Sequence, residues 1–138
     1  MFDYEGCGTV DISAGLLEKQ IEDDLARAGW PDRSAVIIID PELEMWVWSD
    51  SPHVDEELGW RTKTPNLRLW MEAKGFWPTG QAKPRRAKEA LEAALHEVRK
   101  PRSSAIYQSL AEKVSLARCE DRAFRKFKDT LLKWFKEE

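Results

Sequence analysis

Five carboxylates near the ends of two short apolar stretches are the residues most able to do chemistry: Asp3, Glu5, Asp40, Glu42 and Glu44. Carboxylates held close together repel one another unless a cation neutralises them. Hard oxygen ligands that leave room for water suit Mg²⁺ or Mn²⁺. Such an ion favours phosphodiester or phosphoryl transfer, because it stabilises charge on the phosphate oxygens and activates water. If these residues share one volume, the sequence predicts a metal site of four or five carboxylates.

The same carboxylates also have ordinary structural interpretations. Asp40 can cap a helix whose first residue is Pro41, and Glu42 then complements the dipole of that helix. Asp3 and Glu5 can be polar turn residues beside glycines. The sequence leaves both interpretations open.

Two strands and one helix must bring the carboxylates together. The first strand ends near Tyr4, and a helix with a periodic apolar face begins after Asp11 or Ser13 and ends at Gly29. Residues 35–39 then form an apolar run rich in β-branched side chains, which is typical of a buried strand. Strand, helix and strand in this order predict a βαβ crossover with parallel strands. The carboxyl ends of both strands then lie at one edge of the sheet, where ligands bind in α/β folds.

The rest of the chain is predicted to be helical. Short helices are expected near residues 54–58 and 66–73, and longer ones after Pro84, after Ser103 or Ser104, and after Asp121. The predicted fold class is therefore α/β, with a small parallel sheet followed by a helix-rich C-terminal half. We expect one domain over residues 1–138, made of a βαβ-helix part (1–50) and a helical part (51–138).

Two strands are too few for a stable open sheet. We therefore expect the sheet to be completed by another protein chain, by self-association into a homo-oligomer, or by residues upstream of Met1. Seven tryptophans in so short a chain also favour a partner surface.

The charges of the chain are unevenly distributed. Residues 1–60 hold 15 acidic and 3 basic residues, whereas residues 61–138 hold 10 acidic and 19 basic residues. An acidic part that holds metal and a basic part that holds phosphate fit a nucleic-acid enzyme, although solvated helix faces explain the same charges. The expected phosphate contacts lie before predicted helices: Arg85, Arg86, Lys100 and Arg102.

The cysteine content and the apolar runs indicate the compartment. There are two cysteines, no signal-like start and no apolar run long enough to span a membrane. We therefore expect a cytoplasmic protein that does not engage a membrane.

Three stretches resemble a known family. FDYEGCG resembles the acidic strand end, of the D-x-D type, of Toprim-like proteins. VIIIDPELEMWVWSD resembles the second signature of an uncharacterised Toprim-like prokaryotic family, and KPRSSAIYQSLAEKVSLARCEDRAFRKFKDTL resembles the helical ending of that family. Their order and spacing, more than any single motif, carry the resemblance.

The resemblance implies roles for particular residues. Asp3 and Glu5 match the carboxylates that bind a divalent ion in Toprim domains, and Glu44 with Trp46 matches the E-x-W pair. Asp3, Glu5 and Glu44 are then the catalytic carboxylates, supported by Asp40 and Glu42, with Mg²⁺ or Mn²⁺ as cofactor. The family's earlier glutamate, on a preceding strand, has no counterpart here, so the fold is a Toprim-like or Rossmann-like remnant. The implied function is nucleic-acid metabolism or anti-phage defence within a larger assembly; the alternative is a non-catalytic interaction subunit.

Overall fold

The computed structural model describes residues 1–9, 11–115 and 119–135. The described chain divides into two compact units. The first unit is Met1–Leu43 with Glu120–Glu138, and the second unit is Glu44–Cys119. The chain thus leaves the first unit and returns to it for its last helix.

The described chain is a mixed α/β protein that has one two-stranded sheet and is otherwise predominantly helical. Its elements, in chain order, are strand β1 (Phe2–Asp3), helix α1 (Ala14–Arg27), strand β2 (Ile38–Ile39), a 3-10 helix (Leu43–Trp46), and helices α2 (Pro52–Glu57), α3 (Leu67–Ala73), α4 (Ala87–Glu97), α5 (Ser104–Lys113) and α6 (Arg122–Trp134).

The βαβ crossover predicted from the sequence is confirmed. β1 and β2 pair in parallel, with Phe2 opposite Ile38 and Asp3 opposite Ile39, and α1 connects them. Ser13 caps α1 by accepting a hydrogen bond from the Leu16 amide. Regular strand structure in the second apolar run is limited to Ile38–Ile39, although residues 36–39 are all buried.

Helix α6 lies in the first unit, against β2. Asp121 caps it through the Phe124 amide, as the sequence predicted. Ala123 and Phe124 are buried, whereas Trp134 and Phe135 at the far end are 44% and 73% exposed. The apolar face of α6 is therefore covered by its own unit at the start of the helix and uncovered at the end.

The second unit has a continuous apolar core. Two buried tryptophans anchor it to α4, because the indole N–H of Trp48 donates to the Ala87 carbonyl (3.0 Å) and that of Trp60 donates to the Ala94 carbonyl (3.1 Å). Burial of an indole without such a partner would leave its N–H unsatisfied. The core also contains Val54, Leu58, Leu67, Met71, Trp77, Leu91, Leu95, Ile106 and Leu110.

The helix expected to begin at Asp40 and Pro41 was predicted wrongly. Residues 43–46 form a 3-10 helix, and Asp40 is not its cap. Its first amide, that of Leu43, instead donates to the Asp3 carboxylate at 3.0 Å. The acceptor comes from the neighbouring strand, so no local sequence pattern could indicate it.

None of the described helices is long and apolar enough to cross a membrane.

Candidate functional site

Asp3 and Asp40 both lie at the C-terminal end of the sheet, where the two parallel strands end. Asp3 pairs with Ile39 across the sheet, and Asp40 is the next residue of the second chain segment. The Asp3 carboxylate is half-buried and accepts from the Leu43 amide, while Asp40 and Glu5 are exposed. The C-terminal end of the sheet therefore presents carboxylate oxygens to solvent, as expected from the parallel pairing.

Glu44 is a buried carboxylate of the second unit, only 3% exposed. Its Oε1 atom accepts from the Arg102 guanidinium and from the Tyr107 hydroxyl, the latter at 3.1 Å. Arg102 also donates to the Tyr107 oxygen (2.9 Å) and to Glu92 (3.1 Å). The negative charge of Glu44 is thus matched by a cation and a hydroxyl of its own unit.

The electrostatics of this cluster favour a charged Arg102 and a neutral Tyr107. Burial, with the charge and hydrogen bond of Glu44, raises the pKa of Tyr107 above its usual value of 10.0. Burial opposes the positive charge of Arg102, but Tyr107, Glu44 and Glu92 together raise its pKa. At neutral pH the cluster is a salt bridge between Arg102 and Glu44, and the neutral Tyr107 donates a hydrogen bond to the same Glu44 oxygen.

Three of the four predicted phosphate contacts have partners within the second unit. Arg102 pairs with Glu44 and Glu92, and the Lys100 ammonium donates to the Glu57 carbonyl. Arg86 pairs with Glu89 on α4 at 2.8 Å, with both side chains largely exposed. Arg85 is exposed as well. Contact of these four residues with nucleic acid stays a prediction.

The sequence did not reveal the first unit's most buried charged group, Glu18 on α1, which is 3% exposed. Its Oε1 accepts from the Ile38 amide of β2 at 2.8 Å. Arg122 on α6 donates to both Glu18 oxygens, at 2.8 and 3.1 Å, and to the Ile38 carbonyl at 2.8 Å. Glu18 and Arg122 together therefore satisfy the backbone groups of Ile38 that a third strand would otherwise pair with.

A second pair of residues extends this arrangement. The Lys126 ammonium lies 3.0 Å from Glu18 and 2.8 Å from Glu22, and Glu22 accepts from the Val36 amide at 2.8 Å. Hereafter Glu18, Glu22, Arg122 and Lys126 are called the edge cluster. Ion pairs therefore join α1 and α6 at two positions, Glu18 with Arg122 and Glu22 with Lys126.

Three residues of the edge cluster have shifted pKa values. Burial opposes the charge of Glu18, but hydrogen bonds from Arg122, the Ile38 amide and Lys126 outweigh it and lower the pKa of Glu18. The hydrogen bond to Glu18 raises the pKa of Arg122, and Glu22 and Glu18 raise that of Lys126 against the effect of its burial. These shifts favour the charged forms of Glu18, Arg122 and Lys126.

One pattern in the sequence could have indicated the edge cluster. Glu18 and Glu22 lie four residues apart beside the apolar face of α1, and Arg122 and Lys126 have the same spacing at the start of α6. This spacing places the two carboxylates on one face of α1 and the two cations on one face of α6. The choice of partner, however, depends on a separation of 104 residues along the chain.

The described residues hold no group of three or more histidine, cysteine, aspartate or glutamate side chains arranged to bind a metal ion. Glu44, moreover, already has a cation on its carboxylate. The metal site of the five carboxylates stays a prediction.

Comparison of the chain with protein-family models, with curated proteins and with solved structures gives no significant match.

Proposed function

We propose that this chain is a non-catalytic interaction subunit of a larger assembly. The observation that carries the proposal is the distribution of exposed apolar side chains. Among the residues that the structure describes, ten large hydrophobic side chains are exposed, and nine of these belong to the first unit. Contiguous exposed apolar surface marks sites of association, so the first unit is the part of the chain where we expect such a surface. These nine residues are Met1, Phe2, Leu16, Trp30, Leu43, Leu131, Leu132, Trp134 and Phe135.

The state of one predicted catalytic carboxylate, Glu44, supports a non-catalytic role. A carboxylate that binds a metal or transfers a proton must be accessible to its ligand or substrate. Glu44 is 3% exposed, and its Oε1 atom accepts from Arg102 and Tyr107. Glu44 therefore contributes to structure within its own unit.

The biological setting of the assembly rests on the resemblance alone. The resemblance to the Toprim-like prokaryotic family implies nucleic-acid metabolism or anti-phage defence. We propose that this chain acts in such an assembly as the subunit that binds other proteins.

A size measurement tests the proposal. The chain is purified alone and after co-expression with the products of neighbouring genes, and its mass is measured by sedimentation velocity. We expect a defined complex, in which the first unit is protected from hydrogen exchange. A stable, well-folded monomer that binds none of these products would refute the proposal, as would metal-dependent DNA cleavage by the purified chain.

Metal-dependent phosphodiester chemistry is the second candidate function, and one observation favours it. Asp3 and Asp40 lie at the carboxyl ends of adjacent parallel strands. Mg²⁺ is commonly held by one or two carboxylates together with substrate phosphates, so two such residues are enough for a shared ion. Mn²⁺ titration by calorimetry, in the presence and absence of a short DNA, tests this candidate. Metal-dependent chemistry requires that the chain binds Mn²⁺ and that Asp3→Ala and Asp40→Ala each weaken this binding. Titration heats that are the same in the unaltered chain and in both variants would exclude it.

A further inference from the structure

The sheet has two lateral edges, one along β1 and one along β2, and they differ in whether side chains bond their outward backbone groups. On the outer edge of β2, Glu18 accepts from the Ile38 amide and Arg122 donates to the Ile38 carbonyl, both at 2.8 Å. A strand cannot add there unless it displaces the ion pair between Arg122 and the buried Glu18. Any extension of the sheet must therefore occur at β1.

The backbone of β1 is suitably oriented for extension. The Phe2 amide donates to the Ile37 carbonyl at 3.1 Å, and the Tyr4 amide donates to the Ile39 carbonyl at 2.7 Å. Backbone groups of successive residues in a strand point to opposite sides. The N–H and C=O of Asp3 consequently point away from β2, which is the arrangement that a further strand recognises.

The side chains around this edge indicate the chemistry of the partner. Phe2 is 38% exposed and Met1 is 64% exposed, so apolar contact is available beside the free backbone groups. Asp3 and Glu5 supply negative charge, and no ion pair of either is recorded among residues 1–9, 11–115 and 119–135. The sequence of the first unit contains 15 acidic and 9 basic residues. A basic partner is therefore favoured electrostatically.

We propose that the outer edge of β1 binds an extended segment of a partner protein in which β-branched and basic residues alternate. The partner's backbone would pair with Asp3, and its cationic side chains would lie near Asp3 and Glu5. A second copy of this chain fits less well, because antiparallel pairing of two β1 strands brings like-charged Asp3 carboxylates together. The inference deepens the proposed function by naming one surface and the chemistry of its partner.

A defined peptide tests the proposal on the full chain. The probe is an acetylated, amidated hexapeptide of alternating lysine and valine. One control peptide has glutamate in place of lysine, and another has N-methylated valines that cannot donate hydrogen bonds. Hydrogen exchange of ¹⁵N-labelled protein is measured by NMR. We expect the Asp3 amide to exchange quickly in the free protein and at least about tenfold more slowly with the lysine peptide, with neither control having this effect.

Two variants separate the contribution of the Asp3 backbone N–H to peptide binding from that of the Asp3 side chain. Asp3→Pro and Asp3→Ala both remove the carboxylate that accepts from Leu43, but only Asp3→Pro removes the outward N–H. We expect Asp3→Pro to bind the lysine peptide about tenfold more weakly than Asp3→Ala, with both variants folded by circular dichroism.

Several results would overturn the proposal: equal binding of the lysine and glutamate peptides, equal binding by the two variants, or an Asp3 amide that is already protected in the free protein. A partner complex whose contacts protect α6 and leave Asp3 unprotected would also overturn it, while the interaction function would still stand. Failure of the chain to form any complex refutes the interaction function itself.

Discussion

Arg122 and Glu18 form a two-bonded ion pair, with Nη1 to Oε2 at 2.8 Å and Nη2 to Oε1 at 3.1 Å. The same two side chains bond the amide and the carbonyl of Ile38. A pair of side chains thus occupies the position that a third strand takes in larger sheets. Because Glu18 is in α1 and Arg122 is in α6, the pair also fixes the last helix of the chain to the βαβ segment.

Glu18→Gln is expected to destabilise the first unit. The amide side chain keeps the size of glutamate but removes the charge from a buried group that faces Arg122 and Lys126. Breaking a buried ion pair costs roughly 3–5 kcal/mol, and the partial exposure of Arg122 reduces this to about 2 kcal/mol. The loss is measured by urea denaturation followed by circular dichroism.

Asp24→Asn is the control for Glu18→Gln, because Asp24 and Arg27 form an exposed pair, and its effect on the free energy of unfolding should stay below about 0.5 kcal/mol. Equal stability of Glu18→Gln and the unaltered chain would contradict a structural role for the pair.

The same carboxylate predicts a dependence of stability on pH. Its pKa in the folded chain lies below the ordinary value of 4.5, so the unfolded chain binds the proton more tightly. The stabilisation from Glu18 is therefore fully present above about pH 4.5 and is lost as the pH falls through the folded-state pKa. Melting temperatures of the unaltered chain and of Glu18→Gln, measured from pH 7 to pH 3, should converge at the acidic end. A gap of constant size would show that the charge of Glu18 is not responsible.

Local features of the fold followed from the sequence. Asp11 or Ser13 was predicted to cap the first helix and Asp121 the last. Ser13 and Asp121 each accept a hydrogen bond from an amide in the first turn of the helix. The parallel pairing of the two strands also followed, because strand, helix and strand in a short segment allow few arrangements. These predictions succeeded because their causes lie within a few residues or within one crossover.

Interactions between distant segments did not follow from the sequence. The predicted cap at Asp40 failed because Asp3, 40 residues from Leu43, supplies the acceptor. The ion pair of Arg102 with Glu44, 58 residues away, was not predicted either. A charged residue before a helix has the same local pattern whether its partner is a ligand or a buried carboxylate. Tertiary packing alone decides between them.

Tyr107 offers a spectroscopic test of the Glu44 cluster. Burial and Glu44 raise its pKa above 10.0, so it should ionise later than an ordinary tyrosine. The chain has two tyrosines, and absorbance at alkaline pH should show a late component that Tyr107→Phe removes. Glu44→Gln should lower the pKa of Tyr107 without abolishing the shift, because burial is its largest cause. A single transition near the ordinary value in the unaltered chain would exclude this hydrogen-bonded arrangement.

The uncovered end of α6 gives the last prediction. Phe135 is 73% exposed at the end of the helix, and Leu69 in the second unit is 55% exposed. If the first unit is the interaction surface, Phe135→Lys should weaken association at least about tenfold, whereas Leu69→Lys should leave it unchanged. Both variants should retain the stability of the unaltered chain, since neither side chain is buried. Association is measured by sedimentation velocity over a range of concentrations, with co-expressed partners where they exist. Equal effects of the two variants would indicate general solubility rather than a defined surface, and the role assigned to the first unit would then be wrong.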